Sequence, residues 1–306
     1  MFANPFNFTF GRLGSPAEPS GLGNRTGTHA ASYCRLRTMQ GCEILRSFQH
    51  DVYICVEDES TYISKVGTRF PERLAREAQI LAGLAGASGI PRLLASHLHL
   101  QPPVLLIEFI PGKPIPQFDE ATQLYLAGKV AAWLKHFAMS ESDLPCRITH
   151  SRTAAERDRE SLGKLQSWLC GSDELHTVLE RIHTYQARAR EHGAHRDFRV
   201  EHVLVGPDLG IWVVDWESAA PGYMLQDAGN FLASILKGRA PGISPDFTRT
   251  FLESICDTDD QRSELLDWSA YSLLSGARFQ ESLGARNRAS AWTILARDLA
   301  SGARQL

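Results

Sequence analysis

The sequence predicts an α+β fold in two lobes, with an antiparallel sheet and one helix first and a mainly helical lobe after them. Three observations carry this expectation. Short runs of β-branched and aromatic residues fill 42–110, a Phe109-Ile110-Pro111-Gly112 break follows, and helical periodicity dominates beyond residue 117. At 306 residues the chain is long enough for two lobes facing one cleft.

Residues 1–38 are rich in Gly, Ser, Pro, Asn and Thr without a sustained period, which predicts an extended leader. The first lobe is expected over 39–110. Its "CEILRSF", "VYICVED" and "TYISKVG" segments read as an antiparallel meander, with "EDES" as a tight connection. In "FPERLAREAQILAGLAG", Pro71 suits a first helical turn, and Leu74, Ala78 and Leu81 recur at helical spacing. "GIPRLLASHLHLQPPVLLIEFIPG" supplies two further strands and runs into a linker at 111–116. The second lobe, 117–306, opens with a helix over 119–138 that sets Leu124, Ala127, Val130, Ala131 and Leu134 on one face. Helices are also expected over 152–170, 173–192, 245–256 and 263–300, with 145–192 as a helical insert. Among them, "HVLVG" and "GIWVVDW" form a strand pair joined by "PDLG".

A formal net charge of −3 and a pI near 6.4 exclude a bulk electrostatic pull toward nucleic acid or anionic membrane. No stretch approaches the ~18 apolar residues of a membrane span, and the opening residues lack the basic and apolar regions of a signal peptide. Cysteines 34, 42, 55, 146, 170 and 256 show no CxxC pair or metal-finger spacing, which predicts reduced thiols in a cytoplasmic protein. His97 and His99 in "HLHL" have no third ligand nearby and read as an exposed strand edge. "GLGNRTG" lacks the preceding strand and the following Lys-Ser/Thr of a phosphate loop.

Moving a phosphoryl group from ATP needs a cation on the α/β-phosphates, carboxylates for Mg²⁺, and a carboxylate that orients the attacking hydroxyl. Candidates for all three occur in a fixed order. Lys65 ends the strand "YISK" and Glu77 lies twelve residues on in the next helix, an arrangement that keeps an ammonium aimed at phosphates. Asp197, in "HRDF", directly precedes the strand pair, where a carboxylate can accept a hydrogen bond from a substrate hydroxyl. Asp215 ends the apolar run "IWVV", and burial there is costly without a cation. Glu217 projects from the same side if the strand persists.

This layout resembles the protein-kinase-like superfamily, and within it the aminoglycoside phosphotransferase and choline kinase group, over roughly residues 42–300. That group carries a His-Gly-Asp brace, an Asn five residues after the Asp, and an "IDWE"-like metal motif. The matching residues here are His195 and Asp197, then His202, then Asp215 with Glu217. The resemblance implies that Lys65 pairs with Glu77, and that "IEFIPG" is a hinge binding adenine through backbone groups from Glu108 to Ile110. It also implies that Asp227, in "GYMLQDAGNFL", holds the catalytic loop 195–202. Three departures stand out. "SFQHD" lacks the glycines of a phosphate-covering loop. Arg196 replaces the glycine, either bracing the loop or facing solvent. His202 stands where an amide oxygen would ligate Mg²⁺, a hard ion that prefers oxygen.

The expected activity is ATP-dependent (or other NTP-dependent) transfer to a hydroxyl of a small molecule, such as an aminoglycoside, an amino alcohol or a sugar-like metabolite. His-Arg-Asp, four residues, His also resembles the lipopolysaccharide core-sugar kinases, which points to a saccharide acceptor. A pseudokinase acting as a scaffold is the alternative of another class, favoured by His202 and the glycine-free loop. Acceptor choice is expected to lie with the insert and the C-terminal helices, where Asp173, Glu174, Glu180, Asp259, Asp260 and Glu264 are candidates for an acidic patch.

Overall fold

The computed structural model describes residues 43–46, 50–57, 60–140, 154–169, 172–187, 192–238 and 240–303. The expected leader lies outside them, as do Asp58 and Glu59 of the first tight connection. Strands β1 (Glu43–Arg46), β2 (Asp51–Glu57), β3 (Ser60–Val66), β4 (Leu93–His97) and β5 (Val104–Glu108) form one antiparallel sheet in the order β1-β2-β3-β5-β4. β3 is central, with Lys65 opposite Val52 on one side and Leu105 on the other. β4 is an edge strand that ends at His97, and His99 lies in the turn beyond it.

Helix α1 (Pro71–Gly83) starts on Pro71, whose missing N–H is no loss in a first turn. Its buried residues Leu74, Glu77, Ala78 and Leu81 follow the i, i+3, i+4, i+7 rule. Glu77 therefore occupies a position of the apolar face, and burial there obliges it to find a cation.

The chain leaves β5 through Ile110 and Gly112, where the Gly112 N–H donates to the Ile110 carbonyl at 2.8 Å. A Cβ on Gly112 would lie 2.9 Å from Leu204 Cβ, so this crossing requires glycine. β6 (Lys113–Pro114) then pairs with β8 (Val203–Val205), and β8 pairs with β9 (Ile211–Val213), all antiparallel. The predicted strand pair is thus present, but β9 stops two residues short of Asp215.

Helices α2 (Glu120–Ser140), α3 (Ala154–Trp168), α4 (Asp173–Ala187), α5 (Met224–Leu236), α6 (Pro245–Ile255), α7 (Asp259–Ser282) and α8 (Arg286–Ala300) make up the rest of the fold. In α2, Leu126, Ala127, Val130, Ala131 and Leu134 are buried, whereas Leu124 is only half-covered. The continuous helix read over 263–300 is two helices, because Gly284 takes a left-handed φ of 78° between α7 and α8. Helix α5 and the short pair β7 (His192–Ala194) with β10 (Ala220–Gly222) were not in the sequence reading. No helix among the described residues is long and apolar enough to cross a membrane.

One apolar core includes Phe198, Trp216, Phe231, Phe247, Phe251 and Trp268. The approach of α5 to α7 depends on Gly229, where an added Cβ would sit 2.5 Å from Trp268 Cβ and 2.9 Å from the Ser269 nitrogen. Neither atom can swing aside. Gly229→Ala is therefore expected to lower stability by about 1–3 kcal/mol despite its better helix propensity, read as a lower urea midpoint at unchanged m-value.

Candidate active site

β3 and α1 bring Lys65 and Glu77 together, with Lys65 Nζ donating to both carboxylate oxygens at 2.8 and 2.9 Å. The same ammonium donates to Asp215 Oδ1 at 2.8 Å. Burial opposes charge on Lys65, yet the two carboxylates outweigh it and hold its pKa above the ordinary value. Asp215 is likewise disfavoured by burial, but Lys65 holds it well below the usual carboxylate range. Glu77 is shifted upward, chiefly by burial. Asp215 keeps 31% of its side chain accessible, so its second oxygen remains within reach of a ligand.

The loop 195–202 is held from α5. Asp227 accepts the backbone N–H of His195 and of Arg196, both at 2.7 Å. One turn on, Asn230 Nδ2 donates to the Arg196 carbonyl at 3.2 Å, and Ser234 Oγ accepts the Val200 N–H at 2.9 Å. Arg196 has a φ of 64°, a left-handed conformation that glycine adopts without strain. The three α5 side chains hold this arginine in a backbone geometry made for glycine. The Asp227 carboxyl is pushed up to about 7 by burial, against the pull of its two amide donors.

His195 packs edge-on against Trp216, and its Nε2 lies 3.0 Å from the Val214 carbonyl, which can only accept, so Nε2–H donates. Burial lowers the pKa of His195 to about 4 and that of His202 to about 3. Both fall below the free value, so the unfolded chain binds protons that the folded chain refuses. Stability from this source is complete above about pH 6.5 and is lost as pH falls toward 4, by up to about 3 kcal/mol per histidine. Asp227, with its raised pKa, acts in the opposite sense between about 4 and 7. The two histidines outweigh it. Thermal unfolding from pH 7 to 4 should show a falling midpoint, with a shallower slope in His195→Gln.

His202 closes a short polar circuit. Its Nδ1 lies 2.9 Å from the Asp197 carbonyl and its Nε2 lies 2.8 Å from Arg199 Nη2. Arg199 Nη2 also pairs with Asp197 Oδ2 at 3.0 Å, and His202 Nε2 lies 3.4 Å from Asp215 Oδ2. One ligand atom from each of Asp197, His202 and Asp215 can be chosen so that all lie within 4.8 Å of one another, a spacing that suits a shared cation.

Glu217 is not in this group. Asp215 adopts φ 70° and ψ 61°, and Trp216–Ser218 then form a 3₁₀ turn instead of continuing the strand. That turn sends the buried Glu217 carboxylate toward the first lobe, where it meets His50 Nε2 at 3.0 Å and Arg73 Nη1 at 3.1 Å. Of the expected metal set, Asp215 and His202 lie together with Asp197, whereas Glu217 is bonded to His50 and Arg73. The Glu108 carboxylate is engaged by the backbone N, Nε and Nη2 of Arg92 at 3.0–3.3 Å, and its N–H donates to the Arg92 carbonyl, which leaves the Glu108 carbonyl and the N–H of the buried Ile110 as the hinge candidates. Of the acidic-patch candidates, Glu264 is buried and the other five are exposed on α4 and α7.

Sequence reasoning missed His50, Arg73, Arg76, Arg199, Asn230 and Ser234. Arg76 donates to the Ala219 carbonyl at 2.7 Å. The α5 trio did carry a signal, since residues 227, 230 and 234 follow helical spacing on one face. His50, whose side chain bonds Glu217, is the single described residue of the glycine-free "SFQH" segment.

The fold has many solved counterparts. Aminoglycoside phosphotransferase APH(4)-Ia superposes with TM-score 0.67 at 13% identity, over 90% of this chain and 99% of that one. A choline/ethanolamine kinase family protein from Mesorhizobium loti gives 0.64 at 14%, over 88% and 94%. The streptomycin–ATP ternary complex of APH(2")-IIa gives 0.56 at 16%, over 88% and 99%. No curated protein matches the sequence significantly. Residues 41–268, most of the chain and all of the site just described, match the phosphotransferase enzyme family, and the chain belongs to that family.

Proposed function

We propose that this phosphotransferase moves the γ-phosphate of ATP to a hydroxyl of a small, polyhydroxylated or amino-bearing molecule. The observation that carries the reading is the placement of Lys65 between Glu77 and Asp215, with Asp197 a short distance away across His202. Lys65, kept charged by two carboxylates, is suited to hold the α/β-phosphates. The backbone from Glu108 to Ile110 is suited to face adenine. Asp197 accepts the hydroxyl proton as the acceptor oxygen attacks, while Arg199 beside it steadies the carboxylate. Asp215 and His202 would hold a divalent cation, which when bound neutralises charge on the β/γ-phosphate oxygens. His195, Arg196 and Asp227 keep the loop at the required height. Neighbours solved with ATP and streptomycin, or described as choline/ethanolamine kinases, support this class of donor and acceptor.

An ATP-consumption screen with the full chain across aminoglycosides, macrolides, amino alcohols, nucleosides and sugars tests the reading. Acceptor-dependent ADP formation in one class is the expected result. Neither turnover nor a metal-dependent rise in melting temperature with ATP would leave a scaffold protein instead.

A further inference from the structure

Resting on that reading, the geometry points to a site that prefers a first-row transition dication, such as Mn²⁺, over Mg²⁺, with His202 Nε2 and an Asp215 oxygen as its protein ligands. The tautomer of His202 follows from its partners. The Asp197 carbonyl can only accept, so Nδ1 carries the proton; the Arg199 guanidinium can only donate, so Nε2 carries the ring's one lone pair, held by Arg199 Nη2 until a cation displaces it. That lone pair also faces Asp215 Oδ2 at 3.4 Å. Two electron-rich atoms this close repel unless a cation stands near both. Within the chain that service falls to Lys65 on Asp215 and to Arg199 on His202.

A neutral imidazole nitrogen held toward a carboxylate is a poor host for Mg²⁺, which favours oxygen, and a good one for borderline ions. The orientation is built in rather than incidental. The Asp197 carbonyl holds Nδ1 from behind, the arrangement by which metal-ligating histidines are fixed in tautomer and ring angle. His202 is itself buried, so its ring has no other pose available at low cost. Asp197 completes the group of donors but remains the partner of the acceptor hydroxyl.

The test uses the full chain with Mn²⁺ and the methylene analogue of ATP, whose bridge carries no nitrogen. Electron spin-echo modulation of bound Mn²⁺ should show coupling to one ¹⁴N nucleus. Labelling the histidines with ¹⁵N should convert that signal, and His202→Asn should abolish it. Equilibrium binding should favour Mn²⁺ over Mg²⁺ by about tenfold or more, and the margin should shrink by a similar factor in His202→Asn. Nucleotide-dependent Mn²⁺ binding without histidine nitrogen coupling would overturn the inference and leave the phosphotransfer reading standing. Absence of any nucleotide-dependent metal binding would overturn both. If His202→Asn does not fold, the isotope exchange alone decides.

Discussion

Asp197→Ala, purified as a folded chain, should turn over about 10³-fold more slowly than the parent while binding ATP with similar affinity. The separation follows from position. Asp197 sits in a loop whose backbone is fixed by Asp227, Asn230 and Ser234, so removing its side chain leaves those anchors in place. Lys65 and the main chain after β5 are equally untouched, which preserves the nucleotide contacts. What disappears is the acceptor for the hydroxyl proton. Arg199 loses one of its two partners and keeps the other, His202, so the cost to stability is small. Single-turnover assays with saturating nucleotide, alongside thermal unfolding, separate the two effects. Full activity in the folded variant would remove Asp197 from the reaction.

Asp215→Asn should be nearly as damaging to turnover, by roughly 10²–10³-fold, and it should also weaken divalent-cation binding in the presence of nucleotide. Asparagine is the informative replacement because residue 215 has a left-handed backbone, which Asn tolerates and Ala does not. The amide matches the carboxylate in shape and can still accept from Lys65. Only the charge is lost. Lys65 then relies on Glu77 alone to offset its burial, so a modest fall in melting temperature accompanies the loss of activity. If Asp215→Asn retained both turnover and metal binding, the divalent site would have to be sought elsewhere.

How much of this was legible beforehand depends on which residues obey a local rule. Glu77 falls in register with Leu74, Ala78 and Leu81, so helical periodicity alone marks it as a charge on a buried face. Lys65 and Asp215 stand at the ends of apolar runs, and that too is local. The direction of Glu217 was not legible, because the turn after β9 is set by the left-handed backbone of Asp215, and an aspartate tolerates both that geometry and an extended one. Arg199 and His50 were invisible for a different reason. Their meaning lies in partners, Asp197 with His202 and Glu217 respectively, that only tertiary packing supplies. Arg196 stood out as a departure from His-Gly-Asp, and its φ of 64° shows what glycine would have contributed.

The 3₁₀ turn that carries Glu217 also ties the two lobes together. Asp215 is bonded to Lys65, the Trp216 N–H lies 3.3 Å from Glu77, Glu217 joins His50 and Arg73, and Arg76 holds the Ala219 carbonyl. These partners belong to the sheet, to α1 or, for His50, to the residue just before β2. Residues 215–219 are thus tied to both lobes, because the Trp216 ring packs on His195 and on Trp133 and Phe137 of α2 while their polar groups bond the small lobe. Asp197 and His202, by contrast, are moored to α5. The segment therefore ties the small lobe to the loop that carries Asp197 and His202, through Lys65 on one side and His195 on the other.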